Sequence, residues 1–162
     1  MSDLLRIGLG IDLHRLVRGR RCVLGGIGIE SPVGPEGHSD GDAILHAICD
    51  AVLGACGLDD LGTLFEDTDV AHRDADSRKF CREVLARARA AGCRVLALDV
   101  VVEAELPKLR PHREAIRQSI AELFNLELDR VNVKGKTAEG LDAIGHGAAL
   151  RATAVALVSR QA

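Results

Sequence analysis

The chain has 162 residues, 47% of them hydrophobic and 28% charged, with a formal net charge of −3. That length and balance suit one soluble domain, residues 1–162, with its own core. The absence of a basic stripe, of Trp and of Tyr speaks against a nucleic-acid partner. No apolar run reaches membrane-spanning length, and the start lacks a signal peptide's basic region and apolar block. Five widely spaced cysteines, with no C-x-x-C pair, read as reduced, buried thiols of a cytoplasmic protein.

Residues 5–14 read as a strand, because Ile7, Leu9, Ile11 and Leu13 alternate with Gly8, Gly10, Asp12 and His14. Asp12 and His14 then project from one face. Residues 22–29 predict a second short strand, with Gly25-Gly26 as a bulge or a point of close backbone approach. The Pro- and Gly-rich residues 31–37 predict a loop. It leads into His38-Ser39-Asp40-Gly41-Asp42, oxygen-rich as a helix start requires. The helix that follows is apolar almost all the way round and ends near Gly57, so it must be buried. His46 and Asp50 alone interrupt it, and with Asp42 they share one face. Such groups need partners inside a protein.

Residues 59–69, acidic and without a period, predict a loop. Asp76-Ser77 caps a helix to about residue 91, with Phe80, Val84, Leu85 and Ala88 inward. Residues 94–105 are β-branched and form a central strand, which Pro107 and Pro111 end. Residues 112–124 are helical, and Val131 opens a strand that runs into Gly135-Lys136-Thr137 and a glycine-rich turn. Residues 148–159 form a last strand with small side chains on both faces, one of them suited to an oligomer interface. Helices and strands interleave, which predicts an α/β or α+β sandwich: one mixed sheet with helices on one face.

Asp12, His14 and His46 are three N/O donors of the kind that hold a catalytic zinc with one position open. A polar pocket beside a satisfied core histidine is the alternative. Asp50, one turn on, suits a partner that orients the His46 ring. Lys136, Thr137 and Glu139 offer a cation, a hydroxyl and a carboxylate, a set for a phosphate with its magnesium, or else an ordinary strand end. His38-Ser39 is either an anion seat or a capping turn.

Several runs occur in order: D-x-H at 12–14, H-S-D-G-D-A-x-x-H at 38–46, G-x-L-F-x-D-T-D at 62–69, Ala75-Asp76-Ser77-Arg78, Pro107-Lys108 with Pro111-His112, and V-N-V-K followed by K-T-x-E-G. With them the chain resembles the 2-C-methyl-D-erythritol 2,4-cyclodiphosphate synthase family over nearly its whole length. The resemblance implies a lyase of the non-mevalonate isoprenoid pathway, and a homotrimer with active sites between subunits. Its substrate would be 4-diphosphocytidyl-2-C-methyl-D-erythritol 2-phosphate, and its products the cyclic diphosphate and CMP. By this resemblance Asp12, His14 and His46 hold zinc, Glu139 holds magnesium or manganese, and His38 and Thr137 stabilise the transition state. Ser39 lies beside the phosphate. Asp60, Leu61, Gly62, Phe65, Asp67 and Asp69 surround the methylerythritol part. The stretch Ala104 to Arg110, including Leu106, Pro107 and Lys108, forms the cytidine and phosphate pocket with Lys136, and Ala143 and His146 lie at its edge. Many members carry G-R-G-E-G where this chain reads Gly145-His146-Gly147-Ala148-Ala149. In relatives that Arg lies near a trimer cavity able to hold an isoprenoid diphosphate, and the resemblance does not extend to that residue. An aromatic often found at Ala143 is also absent. A zinc phosphohydrolase and a non-catalytic nucleotide-binding module are the competing functions for the same residues.

Overall fold

The computed structural model describes residues 4–65 and 75–161. Asp67 and Asp69 lie outside them. Strand β1 (Leu4–Arg18) is followed by β2 (Cys22–Leu24), β3 (Ile27–Ile29) and β4 (Val33–Pro35). Helices α1 (Ala43–Cys56), α2 (Leu61–Leu64) and α3 (Arg78–Ala90) come next. Then follow β5 (Cys93–Glu103), α4 (Arg113–Phe124), β6 (Val131–Lys136), α5 (Asp142–Gly145) and β7 (Ala149–Arg160). The main sheet has the order β4-β1-β7-β5-β6; β5 and β6 run parallel, and its other pairs antiparallel.

Three short elements differ from the sequence reading. Residues 22–29 are a hairpin, β2 paired with β3, and not one strand. Gly25 and Gly26 are its two-residue turn, with φ of 63° and 78°. Two positive φ values in a row are what the favoured hairpin turn requires, and only glycine reaches them without strain. The proline-rich stretch carries a short edge strand, β4. The acidic stretch after Asp59 opens with one helical turn, because Asp60 accepts a hydrogen bond from the Thr63 N–H at 2.8 Å and so caps α2.

Helix α1 is the centre of the core. Its apolar side chains are buried all round, from Ala43 and Ile44 to Val52 and Leu53, and Gly57 ends it in the left-handed conformation (φ 71°). Asp42 caps its start from a fully buried position. The carboxylate accepts from Leu45 N at 3.1 Å, Gly25 N at 2.8 Å and Gly26 N at 2.6 Å, which ties the hairpin turn to the helix. Burial pushes this carboxyl up to about 6, against the pull of those three N–H donors.

The alternation in β1 is real, but its apolar residues face outward. Leu5, Ile7, Leu9, Ile11 and Leu13 are exposed, Ile7 to 76%. Gly8 and Gly10 face α1 instead. A Cβ on Gly8 would sit 1.9 Å from the Ala51 carbonyl oxygen, and one on Gly10 would sit 1.9 Å from that of Ala47. The same holds in β7, where Ala152, Ala154 and Ala156 turn inward. We expect Gly10→Ala to cost at least the ~1–3 kcal/mol of an overpacked core, because the obstacle is helix backbone and cannot rotate away. Urea denaturation checks this, with Gly28→Ala, where nothing lies within 4 Å, changing stability by less than ~0.5 kcal/mol.

Candidate active site

The close approach of α1 to β1 sets three side chains against one another. Asp12 and His14 follow Gly8 and Gly10 on the inward face of β1, and His46 lies on the first turns of α1. His14 Nε2 is 2.6 Å, and His46 Nδ1 3.1 Å, from the same oxygen, Asp12 Oδ2. One donor atom from each residue lies within 4.8 Å of the other two. The other nitrogen of each ring is held from behind. His14 Nδ1 donates to the Glu36 carbonyl at 2.5 Å, and His46 Nε2 is 2.9 Å from Ser77 Oγ and 3.3 Å from Ser39 Oγ.

The electrostatics are those of a cation site. With its Nδ1–H committed to a carbonyl, neutral His14 would turn a lone pair onto the Asp12 carboxylate. Positive charge is needed between them, from a proton or a metal ion. Burial pushes Asp12 up, but the hydrogen bonds and charges of His14 and His46 outweigh it and hold the carboxyl well below its ordinary range. Burial pushes His14 down, and the hydrogen bond and charge of Asp12 outweigh that, for a net rise. A carboxylate and two imidazoles with their outer nitrogens held are a donor set that fits zinc.

Asp50 does not orient His46. Its Oδ1 accepts from Leu61 N at 2.8 Å, so it fastens the first turn of α2 to α1. The position was right for the face and wrong for the partner, because the α2 backbone competes for the same carboxylate. Burial pushes the Asp50 carboxyl upward.

Around the three donors lies a cavity of about 300 Å³, also lined by His38, Ser39, Asp50, Leu61, Gly62 and Phe65. Arg20 holds its rim: Nε donates to the Pro35 carbonyl at 2.6 Å, and Nη2 to those of Gly37 and Ser39 at 2.8 Å each. Arg20 lies in the short connection between β1 and β2, and nothing local in the sequence marks it as a clamp.

A second cavity, about 360 Å³, is lined by Ala104, Lys108, Leu109, Arg110, Arg113, Lys136 and Thr137 among others. Leu109 and Arg110 belong to the stretch 104–110 that the resemblance assigns to this pocket, whereas Arg113, the first residue of α4, is not marked by the sequence. Thr137 donates to Glu139 at 3.1 Å, and Glu139 holds a positive φ of 52°. Asp60, Leu106, Pro107, Ala143 and His146 line neither cavity. No residue lines both. Sheet register explains the separation: Asp12 pairs with Ala152, Ala152 with Val102, and Val102 with Gly135. The two cavities therefore share one end of the sheet but sit about three strand spacings apart, roughly 14 Å.

An α+β sandwich with a carboxylate and two imidazoles that could hold a metal ion, and a separate cavity lined by Lys108, Arg110, Arg113 and Lys136, is of the class of metal-dependent enzymes for phosphate chemistry. The YgbB family model matches residues 5–159. A 2-C-methyl-D-erythritol 2,4-cyclodiphosphate synthase of Bordetella avium is 47% identical over 162 residues, all of each chain. A solved synthase of that name in a CDP-bound form is 45% identical with a TM-score of 0.88, covering 94% of this chain and 99% of that one. The bifunctional IspDF of Campylobacter jejuni has a TM-score of 0.94 at 32% identity; 99% of this chain spans 43% of that longer one. The chain belongs to the YgbB family, that of the 2-C-methyl-D-erythritol 2,4-cyclodiphosphate synthases.

We expect His46→Ala to lose bound zinc, by metal analysis after dialysis, while keeping its fold by circular dichroism. The fall in affinity should exceed the ~10–100-fold that outer hydrogen-bond partners contribute.

Proposed function

We propose that this site carries out the family's cyclisation. The 2-phosphate of 4-diphosphocytidyl-2-C-methyl-D-erythritol 2-phosphate attacks the β-phosphorus of the same molecule. A phosphorus–oxygen bond forms, the one to the CMP oxygen breaks, and 2-C-methyl-D-erythritol 2,4-cyclodiphosphate and CMP result. The observation that carries this is the convergence of Asp12, His14 and His46 on one point beside a cavity.

The attacking group is already an anion, so no protein nucleophile or base is needed. The task is to bring two anions together and hold them in line. Zinc at Asp12, His14 and His46 would polarise a phosphoryl oxygen, and magnesium or manganese at Glu139 would offset the diphosphate charge. Lys136 supplies a cation and Thr137 a hydroxyl to the phosphates. His38, on the rim that Arg20 holds, would stabilise the transition state together with Thr137, and Ser39 would lie beside the phosphate. Leu61, Gly62 and Phe65 take the methylerythritol part together with Asp60, Asp67 and Asp69. Ala104, Leu106, Pro107 and Lys108 take the cytidine end, with Ala143 and His146 at its margin.

This division needs both cavities at one substrate, and a single chain holds them apart. We therefore place the complete site between subunits of a homotrimer. The exposed apolar face of β1, continued by Val155 on β7, is the surface suited to that assembly. Five free, buried cysteines are in keeping with a reducing cytoplasm. No helix among the described residues is long and apolar enough to cross a membrane.

Phosphorus NMR of the purified protein with its substrate tests the reaction. Cyclic diphosphate and CMP are expected; a ring-free methylerythritol phosphate would mean hydrolysis instead. Glu139→Gln is expected to lower turnover ~10-fold or more, partly restored by high magnesium; a variant as active as the parent would remove Glu139 from the metal role. The pair Ile7→Lys and Leu9→Glu is expected to shift the mass by light scattering from three times the 17.2 kDa chain to one, with turnover lost alongside.

A further inference from the structure

The run Ala75-Asp76-Ser77-Arg78 has no part in the chemistry above. Ser77 sits at the start of α3, fully buried, yet makes no capping hydrogen bond. Asp76 takes that place, accepting from Arg78 N at 3.0 Å. The Ser77 hydroxyl is engaged elsewhere. It donates to Asp40 Oδ1 at 2.5 Å, while Ser77 N donates to Asp40 Oδ2 at 3.1 Å. Asp40 is fixed in turn, accepting from Asp42 N at 3.1 Å and donating its own N–H to the Ala75 carbonyl at 3.1 Å.

A hydroxyl has one proton, and here a carboxylate takes it. Toward His46 Nε2, 2.9 Å away, Ser77 Oγ can then only accept. Nε2 must carry the ring's hydrogen, and Nδ1 turns its lone pair toward Asp12. Ser39 Oγ, at 3.3 Å and itself accepting from Gly41 N, is a longer second acceptor for the same N–H. His14 is arranged in parallel, its Nδ1–H spent on the Glu36 carbonyl and its Nε2 turned inward.

We propose that Ser77, locked by Asp40, is the positioning residue that fixes the tautomer and ring orientation of His46, so that Nδ1 is the metal-binding nitrogen. The chain from Asp40 through the Ser77 hydroxyl to the imidazole extends by one link the carboxylate–histidine pairing that raises ligand basicity at metal centres. It rests on the reading that Asp12, His14 and His46 hold a divalent cation. It also gives the start of α3 a function beyond packing: this end of the helix holds a metal ligand from behind.

The test uses the full chain stripped of metal, with zinc affinity measured by chelator competition and the cobalt(II)-loaded protein followed by its visible absorption. S77A is expected to weaken zinc ~10–100-fold and to shift the cobalt bands, with the melting temperature of the metal-free protein little changed. S77T, which keeps the hydroxyl, is expected to recover most of the affinity. D40N, which removes the anchoring charge, should move the same two readouts in the same direction, and it carries the comparison should S77A not fold. Unaltered zinc affinity and cobalt bands in S77A or D40N would overturn the proposal while leaving the metal site standing. Failure of the parent chain to bind zinc or cobalt would overturn the metal reading itself.

Discussion

The structure depends on how closely one helix lies on one strand. Gly8 and Gly10 leave no side chain between β1 and α1, so the carbonyls of Ala51 and Ala47 occupy the space where Cβ atoms would be. Two strand residues on, the same face carries Asp12 and His14, and α1 carries His46 one residue before Ala47. A functional side chain on an otherwise buried helix can then reach a strand carboxylate at 3.1 Å. With larger residues at 8 and 10 the helix would lie further out and the donors would not share one point. Packing and site geometry are thus one constraint, carried by the absence of two side chains.

Around that contact, backbone groups and buried charges hold the rim. Asp42 joins the Gly25-Gly26 turn to α1, and Arg20 gathers three carbonyls of the segment that bears His38 and Ser39. Both are side chains satisfying backbone groups that a loop without ladder partners leaves open. A rim held in this way enters a reaction with its donors already placed, which is where electrostatic catalysis gains most.

What the sequence made legible was local. An apolar circumference gave the buried helix α1, and the spacing of Asp12, His14 and His46 gave a donor set that the fold brings to one point. Resemblance in ordered motifs gave the family. What stayed hidden was long-range. Alternation in β1 says that two faces differ, not which one meets the helix; only Gly8 and Gly10 against α1 decide that. Gly25-Gly26 marks a special backbone equally well as bulge or turn, and pairing of β2 with β3 settles it. Asp50 and Ser77 were read by their neighbours in sequence, whereas their partners, Leu61 N and Asp40, come from other elements. The stretch holding Asp67 and Asp69 lies outside the described residues.

The direction in which β1 faces also bears on assembly. A lone domain that turns Ile7, Leu9 and Ile11 to water forgoes the favourable burial of three large side chains, each worth about 1.5–3 kcal/mol. Meanwhile the row Asp12, Ala152, Val102, Gly135 keeps the three donors and the Lys136 pocket about three strand spacings apart within one protomer. The proposed association through the apolar face would answer both facts at once. It would cover the strand, and a site shared between chains would join the donors of one to the pocket of another. The feature that looks costly in the isolated chain would then be a condition for completing its site.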